Sequence, residues 1–324
     1  TMLPKCTRVF VKLGIDSDVD KIIETEMKTS SRARQKMGIG PVSIVDPSPH
    51  INELRLRKSV AEIELMRHSA KIASQAHIQA MANTKPGVGE WQLEGIIEGV
   101  FKYCKSSGVA YPCIIGSGDN ATVLHYTVNN DTCDDGEVLL IDAGCEYRGY
   151  AADITRSWPV NGKFSEAQSE IYQIVLDSQE AAIAECRVGN PYDAPHKTAR
   201  RVLAEGLIRL GVITQPLEEA LSGDGDLNKW YMHNTGHWLG LDVHDVGIYQ
   251  PGGEPRLLEE GMVMTVEPGL YFGAWRPDVD CPDRYANIGI RIEDDVLITS
   301  NGPDVLSSDC PKTIANIESI VGTA

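Results

Sequence analysis

Apolar positions along this chain recur with two different periods, and the organisation changes near residue 52. Ahead of that point TRVFVKL (7–13) and VSIVDPSP (42–49) read as short strands, with a polar helix over 18–36 between them. That is too little to close a core alone, so residues 1–52 read as the tail of a larger domain and its linker. From residue 53 to 324 the pattern is regular. Ser59 and Glu62 form a capping box, and Ile63, Met66, Ala70 and Ala73 keep helical spacing until Lys85-Pro86-Gly87 stops them. Leu93, Ile96, Ile97, Val100 and Cys104 mark one face of a second helix. Another pair is predicted over 165–186, opened by Ser165 with Gln168, and over 193–210, ended by Gly211. Between and after these helices EVLLIDAG, YAADITRSW, MVMTVEPGLYF and IGIRIEDDVLIT have the composition of strands. Strands alternating with helix pairs predict an α+β domain with a mostly antiparallel sheet.

Each of those strands carries an acid where a core strand would carry an aliphatic residue. Strict alternation puts Ile288, Ile290 and Ile292 on one face and Arg291 with Glu293 on the other. By the same rule Val263, Thr265 and Glu267 share a face, as do Asp153 and Thr155, while Asp142 directly follows VLLI. Any single one could be a solvated carboxylate. Four on buried-looking strands need a counter-charge, because uncompensated buried carboxylates cost several kcal/mol each and divalent metals offset that cost. Beside them stands HNTGHWLGLDVHDVG (233–247), which holds three of the chain's eight histidines. His233 and His237 are four apart, but Gly236 and Gly240 disfavour a helix and the glutamate of HExxH is absent, which argues against a helical zinc site.

Composition narrows the partners. The 324 residues carry a formal charge of −16 and a pI near 4.9, which excludes binding to nucleic-acid phosphates or to an anionic membrane and suits cations. No apolar run approaches the roughly 20 residues of a membrane span, and no signal peptide is visible. Eight scattered cysteines without a CxxC pair point to a reducing compartment. The opening TMLPK reads as a cut end.

Four segments together, LLIDAGCEYRGYAADITRSWPVNGKF, HNTGHWLGLDVHDVG, GMVMTVEPGLY and GIGIRIEDDVLI, resemble the motifs of aminopeptidase P and its relatives, the pita-bread metallopeptidases. The resemblance runs in order from about residue 54 to the C-terminus. It implies a pita-bread domain over 53–324, preceded by a remnant of the family's N-terminal creatinase-like domain. It further implies that Asp142, Asp153, His237, Glu267 and Glu293 hold two divalent ions, with Asp153 and Glu293 bridging, Asp142 completing one ion, and His237 with Glu267 the other. An oxygen-rich set with one imidazole favours Mn²⁺, with Co²⁺, Fe²⁺ or Zn²⁺ as substitutes. By the same resemblance His125, His233 and His244 contact substrate and steady the oxyanion, Glu267 accepts a proton, Arg291 orients carboxylates or contacts substrate, and Tyr271 lies near the metals.

The implied activity is removal of one residue from the N-terminus of a peptide or protein, with either an Xaa-Pro preference or trimming of imported mitochondrial N-termini. The ending VLSSDCPKTIANIES resembles the eukaryotic mitochondrial branch, aminopeptidase P3 and the intermediate-cleaving peptidase. That implies a mitochondrial location, the alternative being the cytoplasm, and a homo-oligomer in the full-length protein. Prolidase shares all five ligands and would cut only dipeptides. Relatives that serve as non-catalytic binding modules have lost ligands that this chain keeps. Asp242 and Asp245 read as loop-fixing acceptors. His50, His68, His77 and His196 fall outside every motif and read as structural or exposed.

Overall fold

Asp16 begins the first α-helix of the chain by accepting hydrogen bonds from the backbone N–H of Asp18 and Val19, the usual way to satisfy donors that a helix start leaves unpaired. The computed structural model describes residues 3–324, the side chain of Pro4 excepted. Thr1 and Met2, where a cut end is expected, lie outside the described residues. The chain divides into two units, one ending at Arg55 and one spanning Leu56–Ala324.

In the first unit β1 (Arg8–Phe10) pairs in parallel with β2 (Ser43–Val45). The predicted helix between them is two helices, α1 (Ser17–Thr29) and α2 (Ser31–Met37). A further helix, α3 (Ser48–Leu56), was not expected from the spacing.

In the second unit α4 (Val60–Asn83) packs against α5 (Glu90–Tyr103), and α6 (Glu166–Ala184) against α7 (Ala194–Arg209). Their starts follow the predicted chemistry. The Glu62 carboxylate accepts from Ser59 N–H at 2.7 Å. The Gln168 side chain accepts from Ser165 N–H while Ser165 Oγ accepts from Gln168 N–H. Between and after the pairs come β3 (Gly108–Val109), β4 (Ile114–Ser117), β5 (Val138–Asp142), β6 (Cys145–Tyr147), β7 (Tyr150–Ala151), β8 (Thr155–Pro159), β9 (Val263–Val266), β10 (Gly269–Tyr271), β11 (Gly289–Arg291), β12 (Asp294–Thr299) and β13 (Gly302–Val305). All pairings among them are antiparallel, in the orders β4-β5-β8, β13-β12-β9, β10-β11 and β3-β6-β7. The α+β expectation holds. None of the helices is long and apolar enough to cross a membrane, among the described residues.

The strand reading needs one correction, and it concerns function. Three of the four predicted strands break at their acid. YAADITRSW splits into β7 and β8 with Asp153 between them, MVMTVEPGLYF into β9 and β10 at Glu267, and IGIRIEDDVLIT into β11 and β12 at Glu293. At each break the chain passes from one sheet to another: β10 pairs β11, whereas β9 pairs β12. The freed backbone donors go to a third segment, Glu267 N–H to Thr235 O and Glu293 N–H to Thr155 O. Nor do the strands alternate in burial, since every residue of β5, β8, β9 and β11 is buried. The helix pairs account for this by covering faces that a lone sheet would leave to solvent.

Candidate metal and substrate site

Asp142 ends β5, where it pairs with Ile114 of β4 and Thr155 of β8. Asp153 follows after the turn through β6 and β7. The two approach because Gly144 lets the backbones touch: a Cβ there would lie 1.7 Å from Ala152 O. His237 arrives on the loop 233–247, which is not helical. It is laid along β9 by its N–H to Thr265 Oγ1 at 3.1 Å and by Thr265 N–H to its carbonyl. Gly236 permits that approach, a Cβ there lying 2.0 Å from Thr265 O.

One oxygen or nitrogen each from Asp153, His237 and Glu293 lies within 4.8 Å of the others. His237 Nε2 is 3.4 Å from Asp153 Oδ2 and 3.6 Å from Glu267 Oε1. Its Nδ1 donates to Trp238 O at 3.0 Å, which orients the ring so that Nε2 is the nitrogen aimed at the carboxylates. Asp142 joins through Arg291, whose Nη2 donates to Asp142 Oδ2 at 2.7 Å. Tyr111, which sequence reasoning missed, has its hydroxyl 2.6 Å from Asp142 Oδ1 and 2.5 Å from Asp153 Oδ1. Its one proton serves a single carboxylate at a time. No periodicity marks it, because AYPC (110–113) lies outside the regular elements.

The cluster is short of positive charge. Burial and the neighbouring carboxylates push Glu267 up to about 7, against the opposing pull of His237 and Arg291. Glu293 is raised by burial, Asp153 and Glu267, and Asp153 by burial and Asp142. Burial opposes a charged His237, but Asp153 and Glu267 outweigh it and lift the ring to about 9. Asp153, Glu267 and Glu293, gathered with Asp142 around one arginine and one imidazole, hold on to protons that a cation would displace. The donor set therefore fits divalent ions, and these five side chains are the ones that could hold them.

Arg291 also ties the site together. Its Nε donates to Thr155 Oγ1, which donates to Glu293 Oε2 at 2.6 Å, and its Nη1 donates to Tyr271 Oη at 3.0 Å. Tyr271 in turn faces His233 Nε2 at 2.8 Å, while His233 Nδ1 donates to Asn234 O. Both ring nitrogens of His233 are thus engaged within the protein, and its ring also borders the cavity. Burial and Arg291 push it down to about 3, so the ring is neutral. His125 and His244 fit the substrate-facing expectation better. Both are exposed and border the cavity, and the His244 ring sits 4.4 Å from that of His237.

The cavity over the cluster measures about 850 Å³, enough for several peptide residues. Two readings change here. His196 is no remote histidine but part of the cavity wall. Asp245 is more than a loop acceptor, since it forms a buried ion pair with Lys58 at 3.0 Å. His77 is buried as expected, its ring contacting Ala143 O, and His50 and His68 are exposed.

The model of metallopeptidase family M24 matches residues 64–300. Xaa-Pro aminopeptidase of Escherichia coli is 41% identical over 305 residues, covering 94% of this chain and 68% of the relative. The mitochondrial intermediate cleaving peptidase 55 of Arabidopsis thaliana is 38% identical over 288 residues, covering 87% of this chain and 54% of the relative. The solved structure of Pseudomonas aeruginosa aminopeptidase PepP superposes with a TM-score of 0.92 at 40% identity, covering 98% of this chain and 72% of that one. On the family match, the identities and the shared pita-bread fold, the chain belongs to metallopeptidase family M24, hydrolases that work with divalent metal ions.

Proposed function

We propose that the protein is an aminopeptidase that releases a single N-terminal residue from peptides, with preference for proline in second position. The observation that carries this reading is the buried cluster of Asp142, Asp153, His237, Glu267 and Glu293 at the floor of a cavity bordered by His125 and His244. The relatives named as Xaa-Pro aminopeptidases support the substrate class. In this reading Asp142, Asp153, His237, Glu267 and Glu293 would hold two divalent ions, with Asp153 and Glu293 shared between them, Asp142 serving one and His237 with Glu267 the other, and Mn²⁺ would best match four carboxylates and one imidazole. Two ions held there would lower the pKa of a bound water enough to make hydroxide available near neutrality.

The remaining work falls to the side chains. Glu267, whose metal-free pKa lies near 7, is placed to accept a proton and return it to the leaving amine. His125 and His244 donate to the substrate carbonyl, and Tyr271 is held toward the same centre by Arg291 and His233. The acidic floor draws the substrate's ammonium group, which counts one residue in from the N-terminus.

The finer reading is a mitochondrial enzyme, oligomeric at full length, that trims imported proteins. It rests on the C-terminal segment and the Arabidopsis relative. The bacterial enzyme is more similar, 41% against 38% identical, so the assignment stays at the level of Xaa-Pro aminopeptidase. Incubating the Mn²⁺-loaded protein with Xaa-Pro-Xaa tripeptides, Xaa-Ala-Xaa tripeptides and Xaa-Pro dipeptides, with products identified by mass spectrometry, tests it. Release of the first residue from the Pro tripeptides supports the proposal. Cleavage of dipeptides alone makes the protein a prolidase, and no cleavage with metal bound rejects both.

A further inference from the structure

We propose that His196 is a substrate-binding residue, presenting its Nε2–H to a carbonyl oxygen of the bound peptide. The inference builds on the aminopeptidase reading and adds a contact to it. His196 stands in the first turn of α7, on a stretch of cavity wall that includes Tyr192 and Pro195. Two ties fix this wall to the segment carrying His237. Tyr192 Oη donates to Gly236 O at 2.5 Å, and Thr235 engages His196 twice, its N–H donating to Nδ1 at 3.2 Å and its Oγ1 lying 2.9 Å from the same atom.

Those contacts set the tautomer. A ring nitrogen that accepts a backbone N–H carries no proton, so in the neutral imidazole the proton is on Nε2. Burial and the Arg200 charge push His196 down to about 4, which keeps the ring neutral around pH 7. Nε2 has no partner among the described residues, although His196 is only half-buried against the cavity. His233, its near neighbour on the site, has both nitrogens committed.

The chemistry of the peptide matches this donor. An Xaa-Pro bond has no N–H at the proline, so that part of the backbone offers carbonyl oxygens alone. Those oxygens face a floor of four carboxylates that cannot donate while ionised. A neutral N–H on the wall seats such an oxygen without adding positive charge that would repel the substrate's ammonium group.

Two substitutions separate substrate contact from support of Thr235. His196→Phe removes both nitrogens. His196→Asn keeps a polar atom near the Nδ1 position for Thr235 but does not reach the cavity. Binding of Ala-Pro-Ala to the metal-free protein is measured by calorimetry, where no turnover intrudes, and kcat and KM are measured on the Mn²⁺-loaded protein. The expected result is that both variants raise Kd and KM about 5–10-fold, the share of one neutral hydrogen bond, with kcat changed less than about twofold. Wild-type Kd in His196→Asn, with loss only in His196→Phe, overturns the contact and makes His196 a support for Thr235. Wild-type values in both overturn it as well. A wild-type protein that cleaves nothing, but whose peptide affinity falls in both variants, removes the aminopeptidase reading and leaves the contact standing.

Discussion

Glu293 and Asp294 are successive residues, both buried, yet their surroundings are opposite. Asp294 receives Arg156 Nη2 at 2.7 Å, Lys312 Nζ at 2.8 Å, Gln179 Nε2 at 2.7 Å and Ser307 Oγ at 2.7 Å. Burial alone would raise its pKa, but Arg156 and Lys312 hold it down to about 2. Glu293 receives one hydroxyl, that of Thr155, and faces Asp153, Glu267 and Asp142, so its pKa is raised. A buried carboxylate with its full set of donors is structural. One surrounded by like charge requires a cation from outside the chain, and that imbalance marks the functional site.

Breaking the two sides of this comparison should give opposite phenotypes. The largest effect is expected from Asp153→Asn, which removes an assigned bridging ligand. Its kcat/KM should fall by more than the roughly 10²–10³ lost with a single oxyanion donor, while the metal-free protein melts no lower than wild type because repulsion is relieved. His233→Ala, which cuts the ties to Tyr271 and to the Asn234 carbonyl but removes no assigned metal ligand, should lose less. Equal, small losses in steady-state assays of the two variants would mean the roles are misassigned.

Asp294→Asn should do the reverse. It leaves Arg156 buried without its carboxylate partner and should cost about 3–5 kcal/mol in urea unfolding, with catalysis by the folded fraction preserved. A variant as stable as wild type would remove Asp294 from the structural side.

How much of this was legible in the sequence follows from the same contrast. Composition located Asp142 on a strand, the other three acids in strand-rich segments and three histidines on one loop, because those features are local. The breaks at Asp153, Glu267 and Glu293 were not legible, since a strand that changes sheet keeps its β composition and only the pairing partner differs. Asp294 and Glu293 look alike in EDD. Only the arrival of Arg156 and Lys312 from distant segments separates them. Tyr111 and His196 were missed for a related reason: their roles arise from contacts made 31 and 39 residues along the chain, which no period encodes.

The charge imbalance can also be probed from the substrate side. Acetylating the substrate's N-terminal amine removes the charge that the acidic floor attracts and adds bulk. We expect kcat/KM to fall at least about 10²-fold, equivalent to about 2.7 kcal/mol. Comparable values for blocked and free peptides would refute anchoring through the amine while leaving the metal cluster untouched.

A smaller effect should appear in pH dependence. With Glu267 raised to about 7 and His237 to about 9, the metal-free cluster retains protons below those values, and binding a cation must expel them. The stabilisation by saturating Mn²⁺ should therefore grow between pH 5.5 and 8, read as the difference in Tm with and without metal. Asp294, held to about 2, contributes nothing to that window, because its stabilisation is lost only as pH falls from about 4 toward 2. A metal-induced Tm shift that is constant from pH 5.5 to 8 would contradict the proton competition.

The most direct test of the central claim is a metal titration of activity. The purified protein is stripped with chelator, its residual metal is measured by elemental analysis, and Mn²⁺, Co²⁺, Fe²⁺ and Zn²⁺ are returned while cleavage of an Xaa-Pro tripeptide is followed. The account predicts no activity in the stripped protein, recovery that saturates at two ions per chain and is greatest with Mn²⁺, and no such recovery in Glu293→Gln. Full activity in protein verified to be metal-free would contradict it.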